Sequence, residues 1–394
     1  MAAPGSATRR ALFEVWPALE DALPLCRLGE LPTPVQALDG VARPLGRPSP
    51  VLFVKRDDLS APTYGGNKVR TLELLFGKAK QRGATHIWST GAFGSNHAAA
   101  TVAHARSAGL EPGVLLFPQP ASWTALANLR AILAGRPRAT ALLHWSTLPL
   151  GMWRLERSER RAGRPPFVMV PGGATPEGAL GYVSAAFELA LQVASGELPP
   201  PATVIIGVGS TCTSAGLLLG FALAARRGLG FVDAQGRAAP PRLISVRVTP
   251  WPVTAAFRIV GLAARTGALL AKLTGDGAAA VERTALAAGL HVDGRFLGAG
   301  YGHPTDSGAD AIRRWRDAGG PELDTTYSGK SAASVVERLR SGEAGPIVYW
   351  ATKSTAALPE PDADVLGAAP GRMRRWIENS ERELRRRGVP RIGI

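Results

Sequence analysis

The stretch Val51-Leu52-Phe53-Val54-Lys55-Arg56-Asp57-Asp58 runs on through residues 59–63 to Tyr64-Gly65-Gly66-Asn67-Lys68-Val69-Arg70, and its changing pattern sets the fold class. Four consecutive apolar residues read as a strand buried on both faces, the paired glycines as a tight turn, and Leu72, Leu74, Leu75 and Phe76 as the apolar side of a helix. A strand, turn and helix in that order hold the Lys68 amine at a helix start. There it is placed to condense with a carbonyl group as a covalent nucleophile. A solvated lysine at a helix N-terminus is the plain alternative, and this stretch alone leaves both open.

The same alternation continues along the chain, as a parallel sheet with covering helices requires. Strands are expected at 51–54, 86–89, 113–117, 141–144, 167–170, 204–208, 242–248 and 346–350, and helices at 96–108, 125–134, 179–194, 214–225, 279–288 and 308–318. Several strands are unbroken apolar runs, which suits burial on both faces and an α/β sandwich. Residues 38–50, 159–166, 198–202 and 236–241, rich in Pro, Gly and Arg, read as surface loops. With 394 residues, 45% hydrophobic and 20% charged, the chain can bury one large core or two moderate ones.

Several function classes are set aside by composition. The net charge of +15 raises the question of nucleic acid, but the arginines are scattered, clustering only at 154–164 and 382–391, and no nucleic-acid motif accompanies them. No nucleic-acid partner is expected. Residues 1–12 hold no sustained apolar run, and the most apolar later stretch, 205–225, is interrupted by Gly207, Gly209, Ser210, Thr211, Thr213 and Gly216. No membrane span is expected, and the protein is placed in the cytoplasm. Cys26 and Cys212 form no C-x-x-C pair and the six histidines lack ligand spacing, so neither a disulfide framework nor a metal site is expected. Met373, Trp376, Ile377 and Leu384 mark a C-terminal helix that covers a partner or the protein's own core.

Two further motifs sit at strand-to-helix junctions. In Thr90-Gly91-Ala92-Phe93-Gly94-Ser95-Asn96-His97, Ser95 and Asn96 stand where free backbone N–H groups converge, a ready carboxylate site or a plain helix cap. In Gly207-Val208-Gly209-Ser210-Thr211-Cys212-Thr213-Ser214-Ala215-Gly216, a loop of small residues can cradle a phosphate or simply allow close packing. The dinucleotide pattern fails because Cys212 takes the third glycine position. The triphosphate-loop pattern fails for want of a lysine, and around Gly329-Lys330-Ser331 Asp324 stands where its first glycine belongs. A monophosphate remains, with hydroxyls from Ser210 and Thr213 and amides from Ser210 to Thr213.

Taken with Pro171-Gly172-Gly173, Gly181-Tyr182, Tyr301-Gly302-His303-Pro304-Thr305 and Tyr327-Ser328-Gly329-Lys330, these runs resemble the fold-type II pyridoxal-phosphate enzymes. The similar branch contains D-cysteine desulfhydrase and 1-aminocyclopropane-1-carboxylate deaminase, and the matches follow its order from about Leu31 to Pro359. The resemblance implies an α/β, two-domain open twisted parallel-sheet sandwich of the tryptophan synthase beta-like kind. Residues 1–70 and 183–394 would form a large domain that binds pyridoxal 5′-phosphate, with residues 71–182 a small inserted one. It further implies that Lys68 is the Schiff-base lysine, that Gly209, Ser210, Thr211, Cys212 and Thr213 hold the phosphate, and that Thr352 and Ser328 also line the cofactor. Asn96 would bind the ring oxygen, while Ser95, Asn96 and His97 hold the substrate carboxylate. Tyr327 would stand beside the substrate with Tyr301 as a second wall, and Ser95 would be a second proton carrier or nucleophile after Lys68. Relatives are commonly homodimers, and a small amino acid is the implied partner.

Ser328 aligns with the position facing the cofactor's pyridine nitrogen. A neutral hydroxyl there holds a ring proton poorly, which suits β-elimination better than ring opening. The expectation is therefore a desulfhydrase-like lyase giving pyruvate, ammonia and sulfide, with a ring-opening deaminase, a β-replacement synthase or a non-catalytic cofactor-binding paralogue as alternatives. Departures remain. Thr211-Cys212 replaces two glycines usual in relatives and would crowd the phosphate, and Ala351-Thr352-Lys353-Ser354 keeps only the threonine of a His-Thr-Gly-Gly run.

Overall fold

The computed structural model describes residues 9–389 and 391; the remaining terminal positions, including residues 1–8 of the stretch scanned for a leader, lie outside the described residues. Among the described residues ten strands form two sheets. They are β1 (Val35–Ala37), β2 (Leu52–Lys55), β3 (His86–Ala92), β4 (Glu111–Phe117), β5 (Arg138–Ala141), β6 (Pro166–Val168), β7 (Thr203–Val208), β8 (Arg242–Arg247), β9 (Leu290–Asp293) and β10 (Ile347–Trp350). The larger sheet has the order β1-β2-β10-β7-β8-β9 and the smaller one β5-β4-β3-β6. Every pairing is parallel except the edge pair β1 and β2.

Unbroken apolar runs arise because both faces of the larger sheet are covered. Alternate residues of one strand enter different cores. Val204, Ile206, Val348 and Trp350 pack with helices Pro176–Ala194, Thr211–Arg226 and Ala256–Thr274, whereas Ile205, Ile347 and Tyr349 face helices Asp306–Asp317 and Ser328–Arg340. A third core lies on the smaller sheet, where Ile87, Val114 and Leu116 meet helices Lys68–Gln81, Asn96–Ala105 and Trp123–Ala134. The C-terminal helix Gly371–Arg386 joins this third core through Met373, Ile377 and Leu384, so it covers the protein's own interior.

Most expected elements appear within a few residues of their sequence positions. The strand expected at 141–144 lies instead at Arg138–Ala141, since this edge strand is only half-buried and carries polar residues. Several helices read as loop or unassigned are present, the longest being Leu148–Arg161, Ala256–Thr274 and Ser328–Arg340; the stretch 38–50, expected as a surface loop, holds the short helix Asp39–Ala42 with Val41 and Ala42 in a core, and 279–288 is helical only from Arg283 to Ala288 apart from a short turn before it. No described helix is long and apolar enough to cross a membrane.

A fully buried set of four charges fastens the start of helix Lys68–Gln81. The Arg70 guanidinium donates to Asp57 at 2.8–3.1 Å and to Glu188 at 2.8 Å, and Lys55 donates to Glu188 at 2.6 Å. Thr33 Oγ1, Tyr182 Oη and Trp350 Nε1 donate to Asp57 at 2.8–2.9 Å. Burial opposes the Glu188 charge, yet Arg70 and Lys55 outweigh it and pull the carboxyl down to about 2. Replacing Arg70 with Met leaves two buried carboxylates facing one lysine. We expect Arg70→Met to lower unfolding stability by about 3–5 kcal/mol. Urea denaturation measures this, and a loss below about 1 kcal/mol would contradict the assignment.

Candidate active site

Lys68 is the first residue of its helix, behind the N-cap Asn67. The turn before it is held from two sides. Gly66 has φ +88° and lies so close to the opposite chain that a Cβ would come within 2.5 Å of the Thr352 carbonyl oxygen. The Asn67 amide N–H donates to that same carbonyl at 3.1 Å, and Ser354 Oγ accepts from the Gly65 N–H at 3.0 Å. Thr352 is thus brought beside Lys68, through its backbone. Burial lowers the Lys68 pKa.

Strand β7 delivers the small-residue loop to the same place. Ser210 is the N-cap of helix Thr211–Arg226, whose first amides have no partner within the helix. Thr213 Oγ1 accepts from Asn67 Nδ2 at 3.1 Å, tying this loop to the Lys68 turn. Ser210 Oγ is buried without a hydrogen-bond partner among the described residues. It lies where a Cβ on Gly172 would approach within 2.4 Å, and Gly172 has φ +67°. Cys212 Sγ turns to the Gly173 carbonyl at 3.3 Å and to Thr71 Oγ1 at 3.8 Å. Burial raises its thiol pKa, so it stays protonated.

Across from this loop stands the start of helix Asn96–Ala105. Ser95 Oγ caps it, accepting from the Ala98 N–H at 3.3 Å. Asn96 Oδ1 accepts from Asn128 Nδ2 at 2.6 Å and Tyr64 Oη at 3.4 Å, which leaves the Asn96 side-chain N–H groups unused among the described residues. His97 is 2% exposed, and neither ring nitrogen has a partner among the described residues. Burial and then the nearby Lys68 push its pKa down to about 3.

Tyr327 closes another side. A Cβ on Gly209 would lie 3.1 Å from its ring, and its hydroxyl bonds that of Tyr301, the two rings being 5.8 Å apart. Ser328 follows at the head of helix Ser328–Arg340. Its hydroxyl donates to Asp324 Oδ2 at 2.7 Å and accepts from the Asp324 N–H at 2.6 Å. Asp324 also accepts from the N–H groups of Thr326, Tyr327 and Ser328, at 2.7, 2.6 and 3.2 Å.

Free amides at a helix head, an unpartnered buried hydroxyl and two flanking glycine turns suit a phosphate, and the unused Asn96 donors suit a ring oxygen. The donor set therefore fits pyridoxal phosphate. A family model described as "pyridoxal-phosphate dependent enzyme" matches residues 26–352. The chain belongs to the family of pyridoxal-phosphate-dependent enzymes.

It is 30% identical to a D-cysteine desulfhydrase from Salmonella paratyphi C over 336 residues, covering 83% of this chain and 93% of that one. It is also 30% identical to nocardicin C-9′ epimerase from Nocardia uniformis subsp. tsuyamanensis over 360 residues, covering 91% and 99%. A crystal structure of a homologue of 1-aminocyclopropane-1-carboxylate deaminase superposes with a TM-score of 0.64 at 27% identity, over 89% of this chain and 96% of that one. Threonine deaminase isoform 2 from Solanum lycopersicum, at 15% identity and a TM-score of 0.53, shares the fold alone, over 95% and 98%. The fold is the tryptophan synthase beta-like, fold-type II arrangement of this family, and the protein is an enzyme whose cofactor is pyridoxal 5′-phosphate.

Sequence reasoning missed Asp324, Asn128 and Gln119, which position Ser328, Asn96 and, through its Oε1 accepting from the Gly94 N–H at 3.0 Å, the loop before Ser95. Asp324 forms an Asx turn, its Oδ1 accepting from the N–H groups two and three residues on, which is a local preference of Asp in turns. With its pKa pushed to about 3, His97 is neutral throughout the working range. The pH profile of kcat/KM should therefore show no histidine inflection between pH 5.5 and 7.5 that His97→Gln removes; one that vanishes in the variant would overturn the assignment.

Proposed function

We propose that this enzyme is a lyase that takes a small amino acid through α,β-elimination, in the manner of a D-cysteine desulfhydrase, releasing pyruvate, ammonia and a β-leaving group such as sulfide. The observation that carries this reading is the meeting of Lys68, at a helix head and partly desolvated, with two buried unsatisfied residues, Ser210 through its Oγ and His97 through its ring, and with Asn96, whose side-chain N–H groups have no partner among the described residues. The cofactor, when bound, supplies the electron sink that makes an amino acid's α-proton removable. The residues do the rest. Ser210 and Thr213, with the amides from Ser210 to Thr213 and the close-packed Gly209, Thr211 and Cys212, hold the phosphate. Asn96 would donate to the ring oxygen, and Thr352 would line the ring through the turn it shares with Lys68.

Lys68 takes the α-proton, since its lowered pKa leaves more of the free amine at neutral pH. Ser95, Asn96 and His97 receive the substrate carboxylate at the head of their helix, with His97 acting as a neutral donor. Ser95 is the second proton carrier, and Tyr327 walls the β-carbon with Tyr301 behind it. Ser328 would face the pyridine nitrogen with a neutral hydroxyl, and the full charge behind it belongs to Asp324, 2.7 Å from that hydroxyl.

The division into residues 1–70 with 183–394 and 71–182 belongs to the same reading, with the C-terminal helix packed on the smaller sheet. So do a cytoplasmic location and a homodimer. Exposed Trp251, Val253 and Phe257 ahead of and within helix Ala256–Thr274 supply apolar surface for a second copy.

A second reading, epimerisation at the α-carbon, is favoured by the match to the nocardicin epimerase, which spans more of this chain than the desulfhydrase match does. One experiment separates the readings. Purified protein is scanned for the absorbance of covalently held cofactor, then incubated with D-cysteine, L-cysteine and 1-aminocyclopropane-1-carboxylate while sulfide, keto acid and α-deuterium uptake are followed. Sulfide with pyruvate supports elimination, and deuterium uptake with inversion and no keto acid supports epimerisation. Lys68→Ala should abolish the band and lower turnover at least about a thousandfold. A wild-type protein that takes up cofactor without a covalent band would sink both readings.

A further inference from the structure

We propose that Lys330 is the positioning residue for Tyr301: its buried ammonium fastens the loop that carries Tyr301 across the cleft onto Tyr327. The functional consequence rests on the reading of Tyr301 and Tyr327 as the substrate wall, whereas the fastening itself does not.

Residues 294–305, between β9 and helix Asp306–Asp317, contain no helix or strand. Gly298, Gly300 and Gly302 have φ of +63°, +133° and +80°, conformations that side-chain-bearing residues rarely adopt. A loop built this way has little intrinsic stiffness, and what orders it must be its fastenings. Arg295 ties the start of the loop to Asp293 and Glu337, and Lys330 holds its centre. Its Nζ donates to the carbonyl oxygens of Leu297 at 2.7 Å and Gly300 at 2.9 Å, directly ahead of Tyr301.

Lys330 is fully buried, at 0% exposure. A buried lysine ordinarily pairs with a carboxylate. Among the described residues none lies within ion-pairing distance of Lys330, and both of its hydrogen bonds go to the loop. Charge-assisted bonds to carbonyls are stronger than neutral ones, so the desolvation of this ammonium is offset largely through the loop. Burial lowers its pKa to about 8, with Asp324 opposing, which keeps the charge in place at neutral pH.

The far side of the loop reaches the other wall. Tyr301 bonds Tyr327 with the Gln119 side chain nearby, and a Cβ on Gly302 would lie 3.5 Å from the Pro120 carbonyl oxygen. Gln119 follows β4 of the smaller sheet and also holds the Gly94 amide next to Ser95. Tyr327 and Lys330 are three residues apart at the head of one helix, hence on one face. A single turn thus presents the aromatic partner of Tyr301 and grips the backbone that delivers it.

Hydrogen–deuterium exchange on the cofactor-loaded enzyme tests this, comparing wild type, Lys330→Met and Lys330→Arg. Losing two charge-assisted bonds should speed exchange at residues 296–304 by about tenfold or more in the Met variant. Helix Ser328–Arg340 should keep its protection, and the Arg variant should recover most of the loop's. With whichever amino acid the wild type turns over, Lys330→Met should lower kcat/KM by about tenfold while the cofactor absorbance is unchanged. Unchanged loop exchange, or loosening spread through the helix and the larger sheet, overturns the proposal. Should the Met variant not accumulate folded, Lys330→Gln, which keeps one donor group, decides by the same criteria. A wild type without turnover would count against the lyase and epimerase readings, while the exchange result would still decide the role of Lys330.

Discussion

Four charges that cannot leave one another determine where the Lys68 amine sits. Lys55 and Asp57 come from the end of β2 and the turn after it, Arg70 from the start of the next helix, and Glu188 from the middle of helix Pro176–Ala194. Each is buried, so removing any partner would strand a charge in a medium that solvates it poorly. Arg70 is therefore fixed, and the helix phase fixes what precedes it. Two residues earlier the side chain points about 200° away around the axis. Lys68 accordingly faces away from the network, toward the loop of Thr213 and Cys212.

This arrangement explains what could be read from sequence. Lys68, the Ser95 to His97 run and the Gly209 to Thr213 loop each occupy a strand-to-helix junction, and such junctions declare themselves locally through apolar runs followed by small or capping residues. The parallel sheets were legible because both faces of β7, β8 and β10 are covered, which removes the polar alternation. Elements that bury only a thin stripe were not legible. Helix Leu148–Arg161 has a single fully buried residue, Glu159, so its arginines read as a loop. Edge strands β1 and β9 are three and four residues long, too short for a period to register. The helix carrying Lys330 was hidden for another reason, because Ser328, Gly329, Ser331 and Ser334 are poor helix formers held in place by the Asp324 cap and by the packing of Val335, Val336 and Leu339.

Asp324 changes how Ser328 is understood. From sequence, Ser328 is a neutral hydroxyl and nothing more. In the folded chain its proton lies toward a carboxylate that itself accepts three backbone amides at a helix head, where negative charge is favoured. The hydroxyl is thus polarised by a charge one bond removed. The concern that Cys212 crowds the phosphate loop is also recast, because its sulfur turns to the Gly173 carbonyl and packs against the Pro171–Gly173 turn instead.

The unsatisfied groups of the cleft give the final step. Leaving a buried polar atom unpaired costs about 1–3 kcal/mol, and here Ser210 Oγ and both nitrogens of His97 bear that cost together. A fold selected only for stability would fill such positions with apolar side chains or supply partners. No described residue pairs with them, while the surrounding scaffold is held by ion pairs, glycine turns and caps. The two unsatisfied residues stand one at each of two helix heads near Lys68, a hydroxyl and a neutral imidazole that can each donate to an anionic group.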